Sequence, residues 1–195
     1  HALALGADGR VWAWGANASG QLGEGSFKPS LVPVVTGLSE IARIRAGGDH
    51  SAAVSRRRAL YLWGENADGQ LGLGAGAPAD LGVPAGVARA AVDVAPGSRM
   101  TLFVGSDGLA RSTGANDAGS LGDGGTTARN TFGAVSAVSA GITVGAGGLS
   151  FAAAITDNGT TFMWGDNGSK QLGNTTITAT GTATPSAVPN FDAIP

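Results

Sequence analysis

The chain has 195 residues, with 34 Gly, 8 Pro, no Cys and 13% charged side chains; charge is about half, and glycine more than twice, the roughly 25% and 7% of average domains. A net charge of −2 gives no electrostatic footprint for nucleic acid, and the absent cysteines exclude a disulfide scaffold and Cys-ligated zinc or iron–sulfur centres. Two His and two Lys leave metal and Schiff-base chemistry few candidates, so the composition points to architecture, with no catalytic residue, metal ligand or cofactor expected.

Taken in chain order, His1-Ala-Leu-Ala-Leu5 alternates like a strand, and the opening on such a strand reads as a piece of a longer protein. The turn Ala7-Asp8-Gly9 joins it to Arg10-Val-Trp-Ala-Trp14, a short hairpin signal. Next come the segment Trp14-Gly-Ala-Asn-Ala-Ser-Gly-Gln-Leu-Gly23 and a variable loop, Glu24–Leu31. Val32-Pro-Val-Val35 reads as an extended piece, Ile41-Ala-Arg-Ile44 as a β-branched strand, and Ala46-Gly-Gly as its end.

The series then starts again. His50 opens the second unit, Met100 the third and Phe151 the fourth, each thirteen residues ahead of a copy of the ten-residue segment. The copies begin at Trp14, Trp63, Thr113 and Trp164, spaced by 49, 50 and 51 residues. The repeats run approximately 1–49, 50–99, 100–150 and 151–195. About four short strands per unit, with no helical periodicity, match the size of a β-propeller blade. The expected fold is all-β, four-stranded antiparallel blades of a propeller. A charge-free stretch between Arg129 and Asp157 is broken by Gly133, Gly141, Gly145, Gly147 and Gly148, so no membrane span is expected there.

Each motif position has a physical role. Gly15, Gly20 and Gly23, with Gly64, Gly69, Gly72, Gly114, Gly119, Gly122, Gly165 and Gly173 in the other copies, suit left-handed or closely approached backbone. Asn17, Asn66, Asn116 and Asn167 suit Asx turns on their own backbone. Leu22, Leu71, Leu121 and Leu172 read as apolar plugs, and Trp14, Trp63 and Trp164 as the largest apolar burials. Thr113 breaks the aromatic pattern, so the third blade is expected to be the least well packed. Lys170 replaces a motif glycine, and Arg56-Arg57-Arg58 replaces the Ala-Asp-Gly hairpin.

The pattern Trp-Gly-x-Asn-x-x-Gly-Gln-Leu-Gly, with its preceding His-x-x-Ala-Leu-like strand, resembles the regulator of chromosome condensation repeat over essentially the whole chain. That resemblance implies a seven-bladed propeller, of which this chain would carry about four blades, the rest coming from the same polypeptide or another copy. Three inner strands, Ile41–Ala46, Ala91–Ala95 and Ile142–Ala146, stand against four hairpins, and a fourth is expected to begin at Ile194-Pro195. Family members include a nucleotide-exchange factor for a small GTPase, ubiquitin-ligase domains and a β-lactamase inhibitor, so fold does not settle function.

No triad or phosphate loop can be assembled, and His1 with His50 share a repeat position that suggests a blade role. The leading reading is a non-enzymatic scaffold binding a protein partner through the variable loops of one face. An exchange-factor-like activity is the first alternative and a propeller hydrolase or lyase the second. Candidate contacts are Phe27, Lys28 and Phe132 in the loops and the hairpin Arg56, Arg57 and Arg58, whose guanidinium forks would suit an acidic partner. Asn17, Asn158, Asn167 and Asn174 each open an Asn-x-Ser/Thr sequence. The absent Cys and a Thr-rich, Lys-poor tail suit a secreted or surface-exposed bacterial protein.

Overall fold

A computed structural model describes residues 1–138 and 141–189. Fourteen strands run in sequence order with no helix among the described residues. The first sheet holds β1 (Ala2–Leu5), β2 (Val11–Gly15) and β3 (Ser30–Val35). The second unit has β4 (Ile41–Ala46), β5 (His50–Ser55), β6 (Ala59–Glu65) and the first part of the long β7 (Asp80–Pro96). β7 then bends into the third unit, where it pairs through Ala91–Pro96 with β8 (Met100–Gly105), followed by β9 (Ala110–Gly114) and β10 (Arg129–Ala134). The fourth contains β11 (Ile142–Gly147), β12 (Phe151–Thr156), β13 (Thr161–Asp166) and β14 (Gly181–Ala187). All pairings are antiparallel, so each unit is a meander blade. The three expected inner strands are β4, the second part of β7, and β11; the inner strand expected at Ile194-Pro195 lies outside the described residues.

Period-two patterning serves two neighbours at once. Strand β5 is buried along its whole length: Ala53 faces Val11 and Trp63 toward the first blade, while Ala52 and Val54 join Leu60, Leu71 and Phe103 toward the third. Likewise Phe103 of β8 packs backward, and Leu102 with Val104 pack forward against Ala152 and Trp164. Three apolar clusters therefore occupy the three joints between four blades, and packing holds between blades rather than within one. Pro33 in β3 and Pro185 in β14 lie on outermost strands, where a missing N–H breaks no ladder.

Two hydrogen bonds repeat at every joint. At one end, the tip carbonyls of Gly9, Arg58 and Gly108 accept from Ile41, Ala91 and Ile142, the starts of the next inner strands or segments. At the other end, Gly25, Gly74 and Gly124 donate to Gly82, Asn130 and Ala183 of the next blade's outer strand. The molecule thus has a hairpin-tip end and a motif-loop end.

Candidate functional site

The motif loops are built by side chains turned inward. Asn17 is buried; its Oδ1 accepts from the Leu22 amide at 2.9 Å and its Nδ2 donates to the carbonyls of Ser26 and Lys28. Asn66, Asn116 and Asn167 repeat the bond to Leu71, Leu121 and Leu172 and each reach one or two loop carbonyls. These are clamps spanning five to twelve residues, not the local Asx turns that the sequence suggests. Their task is to hold a loop of free sequence in a fixed frame, satisfying carbonyls that would otherwise be left without partners.

The Trp positions lock one blade to the one before it. Trp63 Nε1 donates to the Gln21 carbonyl, and Trp164 Nε1 to Ser120, each at 2.8 Å. The indole lies so close to the last motif glycine that a Cβ on Gly23 or Gly122 would stand 2.6 Å from Nε1. Trp14 departs from the expected deep burial and is half-buried in the first blade.

The third blade corrects the expectation of poor packing. Thr113 is fully buried, and its hydroxyl lies 2.9 Å from both the Gly69 and Arg129 carbonyls. The seat over Gly72 is filled instead by the ring of Phe132, which arrives from β10 and meets Phe103 edge-on with centroids 4.8 Å apart. An aromatic group supplied by a different strand restores the lost bulk. Phe132 is therefore a joint residue, not the presented loop contact that the sequence suggests, because its ring is taken up by Gly72 and Phe103.

The histidines are tethers. His1 Nε2 lies 2.8 Å from Ser51 Oγ, and His50 Nε2 lies 2.8 Å from Thr101 Oγ1. Because the Thr101 hydroxyl gives its own proton to the Gln70 carbonyl, the His50 ring N–H is the donor. Burial pushes the His50 pKa down to about 4.

The remaining candidates separate onto opposite ends. Phe27 and Lys28 are exposed at the motif-loop end, Phe27 with half its surface free while its ring edge rests over Gly20 and Gly82. Arg56, Arg57 and Arg58 are exposed at the hairpin-tip end, so the structure does not bring them to the loops. Arg57 meets Glu40 at 3.4 Å, an exposed pair of little energetic weight. Arg58 takes φ +65° where Gly9, Gly108 and Gly159 stand in sister tips.

Sequence reasoning missed the acidic character of the motif-loop end. There Glu65 is held above its usual range, first by burial and then by the charges of Asp49, Asp68 and Asp80, with Arg99 opposing. Arg99 forks onto Asp68 at 2.6 and 2.7 Å and reaches Asp117 at 3.3 Å. The signal was present in Asp49, Glu65 and Asp80, but only the return of successive strands to one end places them together.

Comparison with known proteins follows the same outline. The family model for the regulator of chromosome condensation (RCC1) repeat matches residues 8–54. The human E3 ubiquitin-protein ligase HERC2 is 30% identical over 183 residues, covering 89% of this chain and 4% of that protein. The ultraviolet-B receptor UVR8 of Arabidopsis thaliana is 45% identical over 58 residues, 28% of this chain and 13% of the receptor. Among solved structures, Prp20p of Saccharomyces cerevisiae, described with its binding to Gsp1p and histones, superposes with a TM-score of 0.84 at 24% identity. That match covers 96% of this chain and 48% of Prp20p. Human WBSCR16 superposes with a TM-score of 0.82 at 23% identity, over 96% and 49% of the two chains. The chain thus spans about half the length of these solved structures and a small part of the curated relatives.

Proposed function

Because the chain belongs to the regulator of chromosome condensation repeat family, we propose that it is a non-catalytic propeller that binds a protein partner through the loops of its motif end. One observation carries this reading: the polar groups that recur from copy to copy are consumed internally, while the stretches between them differ. Asn17, Asn116 and Asn167 are buried clamps, His50 is a buried tether, and Gln21 and Gln70 are buried against Asp49 and Glu65. What each blade leaves to solvent at this end is a loop of different sequence on a recurring frame, the arrangement by which rigid scaffolds display recognition surfaces. Phe27 and Lys28 are the exposed contacts of the first loop. Arg56–Arg58, on the far end, would meet a separate acidic segment of the partner.

The test pairs binding with exchange. Captured proteins from the source organism are quantified for the parent chain, for Phe27→Ser with Lys28→Ser, and for Arg56, Arg57 and Arg58 all changed to Ser. A partner lost with the loop pair and weakened but still captured with the arginine triple supports the reading, and undiminished capture by both variants overturns it. Release of labelled GDP from a small GTPase, accelerated by the chain, would favour the exchange-factor alternative instead.

A further inference from the structure

The joints between blades are near-copies, yet they are not equally filled. At the first, Gly25 donates to the Gly82 carbonyl, and the ring of Phe27 covers the seam, lying 3.0 Å from where a Cβ of Gly20 would stand and 3.4 Å from that of Gly82. At the second, Gly74 donates to Asn130, and Gly69 abuts the Asn130 backbone in the same way. The loop residues in Phe27's place are Gly76 and Ala77, which bring no ring to the seam. A cleft of about 560 Å³ remains there, lined by Asn66, Asp68, Gly69, Gly76, Arg129 and Asn130 among others.

We propose that this cleft seats an aromatic side chain with a basic neighbour, delivered by the protein partner. The occupant is argued from the chain's own template, since the first seam is closed by Phe27 followed directly by Lys28. Charge points the same way. Asp68 lines the cleft, Glu65 precedes it in the same motif, and Asp80 pairs with Glu65 across β6 and β7. Of the charges in the lining, Asp68 is answered by Arg99 and Arg129 by Asp123. Glu65, whose Oε2 accepts from Gln70, and Asp80 stand just outside that lining with no ion-pair partner among the described residues. A ring would lie over the peptide groups of Gly74 and Gly76 and the methyl of Ala77, while the ammonium or guanidinium is steered by Glu65 and Asp80 beside the cleft. This inference rests on the loop-face reading above and names the chemistry that the face recognises.

The experiment uses a six-residue peptide copying Gly25–Ser30, added to the isotope-labelled chain and followed by amide shifts. Shifts centred on Gly69, Ala77 and Asn130 are expected, weakened about threefold when the peptide's Lys becomes Gln and about tenfold when its Phe becomes Ala. Ala77→Phe, which fills the seam from within as Phe27 does, should lower peptide affinity about tenfold while leaving the melting temperature unchanged. Should that variant misfold, the peptide's Phe→Ala comparison carries the test alone. Shifts centred on Asn174 and Thr175, or no saturable shift at all, would overturn the assignment. The peptide readout does not depend on the extract partner, so a failed cleft and a failed loop face are told apart.

Discussion

Removing the ring of Phe132 tests whether an aromatic borrowed from β10 truly stands in for the missing third-blade Trp. The ring is half-buried, so its transfer contributes about 1–1.5 kcal/mol of the 1.5–3 expected for full burial. The edge-on pair with Phe103 at 4.8 Å contributes about 0.5–1.5 kcal/mol more, and the void left over Gly72 adds to both. Phe132→Ala should therefore destabilise by about 2–4 kcal/mol, below the upper end for a fully buried Phe. The reverse substitution sharpens the test. Thr113→Trp restores the repeat pattern, yet it drives an indole into the seat held by Phe132 and removes the Thr113 hydroxyl from Gly69 and Arg129. A loss of about 2–4 kcal/mol is expected from overpacking and broken bonds together. Combined with Phe132→Ala, the new indole can occupy the Gly72 seat and donate to the Gln70 carbonyl, as Trp63 does to Gln21. The double variant should then recover at least about 1 kcal/mol relative to the sum of the singles. Urea unfolding at constant m-value measures all three. A Thr113→Trp chain more stable than the parent, or Phe132→Ala within about 0.5 kcal/mol of it, would refute the account.

Acid should weaken the second joint through His50. Its folded pKa is about 4 against an ordinary 6.5, so the unfolded chain binds the proton first, and stability present above pH 6.5 falls as pH drops toward 4, by about 3 kcal/mol in all. His50→Asn should remove that part of the slope between pH 7 and 4.5 in urea titrations, and an unchanged slope would discard the assignment. Lys170 and Arg58 hold φ of +63° and +65° where sister repeats have Gly; changing either to Gly should raise the melting temperature by about 2–4 °C for about 1 kcal/mol of relieved strain, and a lower melting temperature for both would contradict it. Of the four Asn-x-Ser/Thr sites, Asn17 and Asn167 are 1% exposed and Asn174 is 8% exposed, while Asn158 stands on an exposed tip. Passage through a eukaryotic secretory host should modify Asn158 alone, so a glycan surviving Asn158→Gln would show otherwise.

Much of the architecture was legible in residue order, because a repeat writes its blade several times. Glycine at Gly20, Gly69 and Gly119 announced left-handed backbone, and all three adopt positive φ; alternation in His50–Ser55 announced a strand, and the spacing of the motif announced the blade period. Those are local constraints, set by sterics within a few bonds. Three matters were decided only in three dimensions. Asn17 reaches Ser26 and Lys28 because the loop folds back over it, a closure that no turn rule of adjacent residues contains. Phe132 replaces Thr113's absent ring from another strand, since a cavity is filled by whichever side chain the packing brings there, not by the residue aligned with it. Arg56–Arg58 and Phe27 fall on opposite ends because each strand reverses direction, so the surface that a partner meets is set by strand order rather than by nearness along the chain.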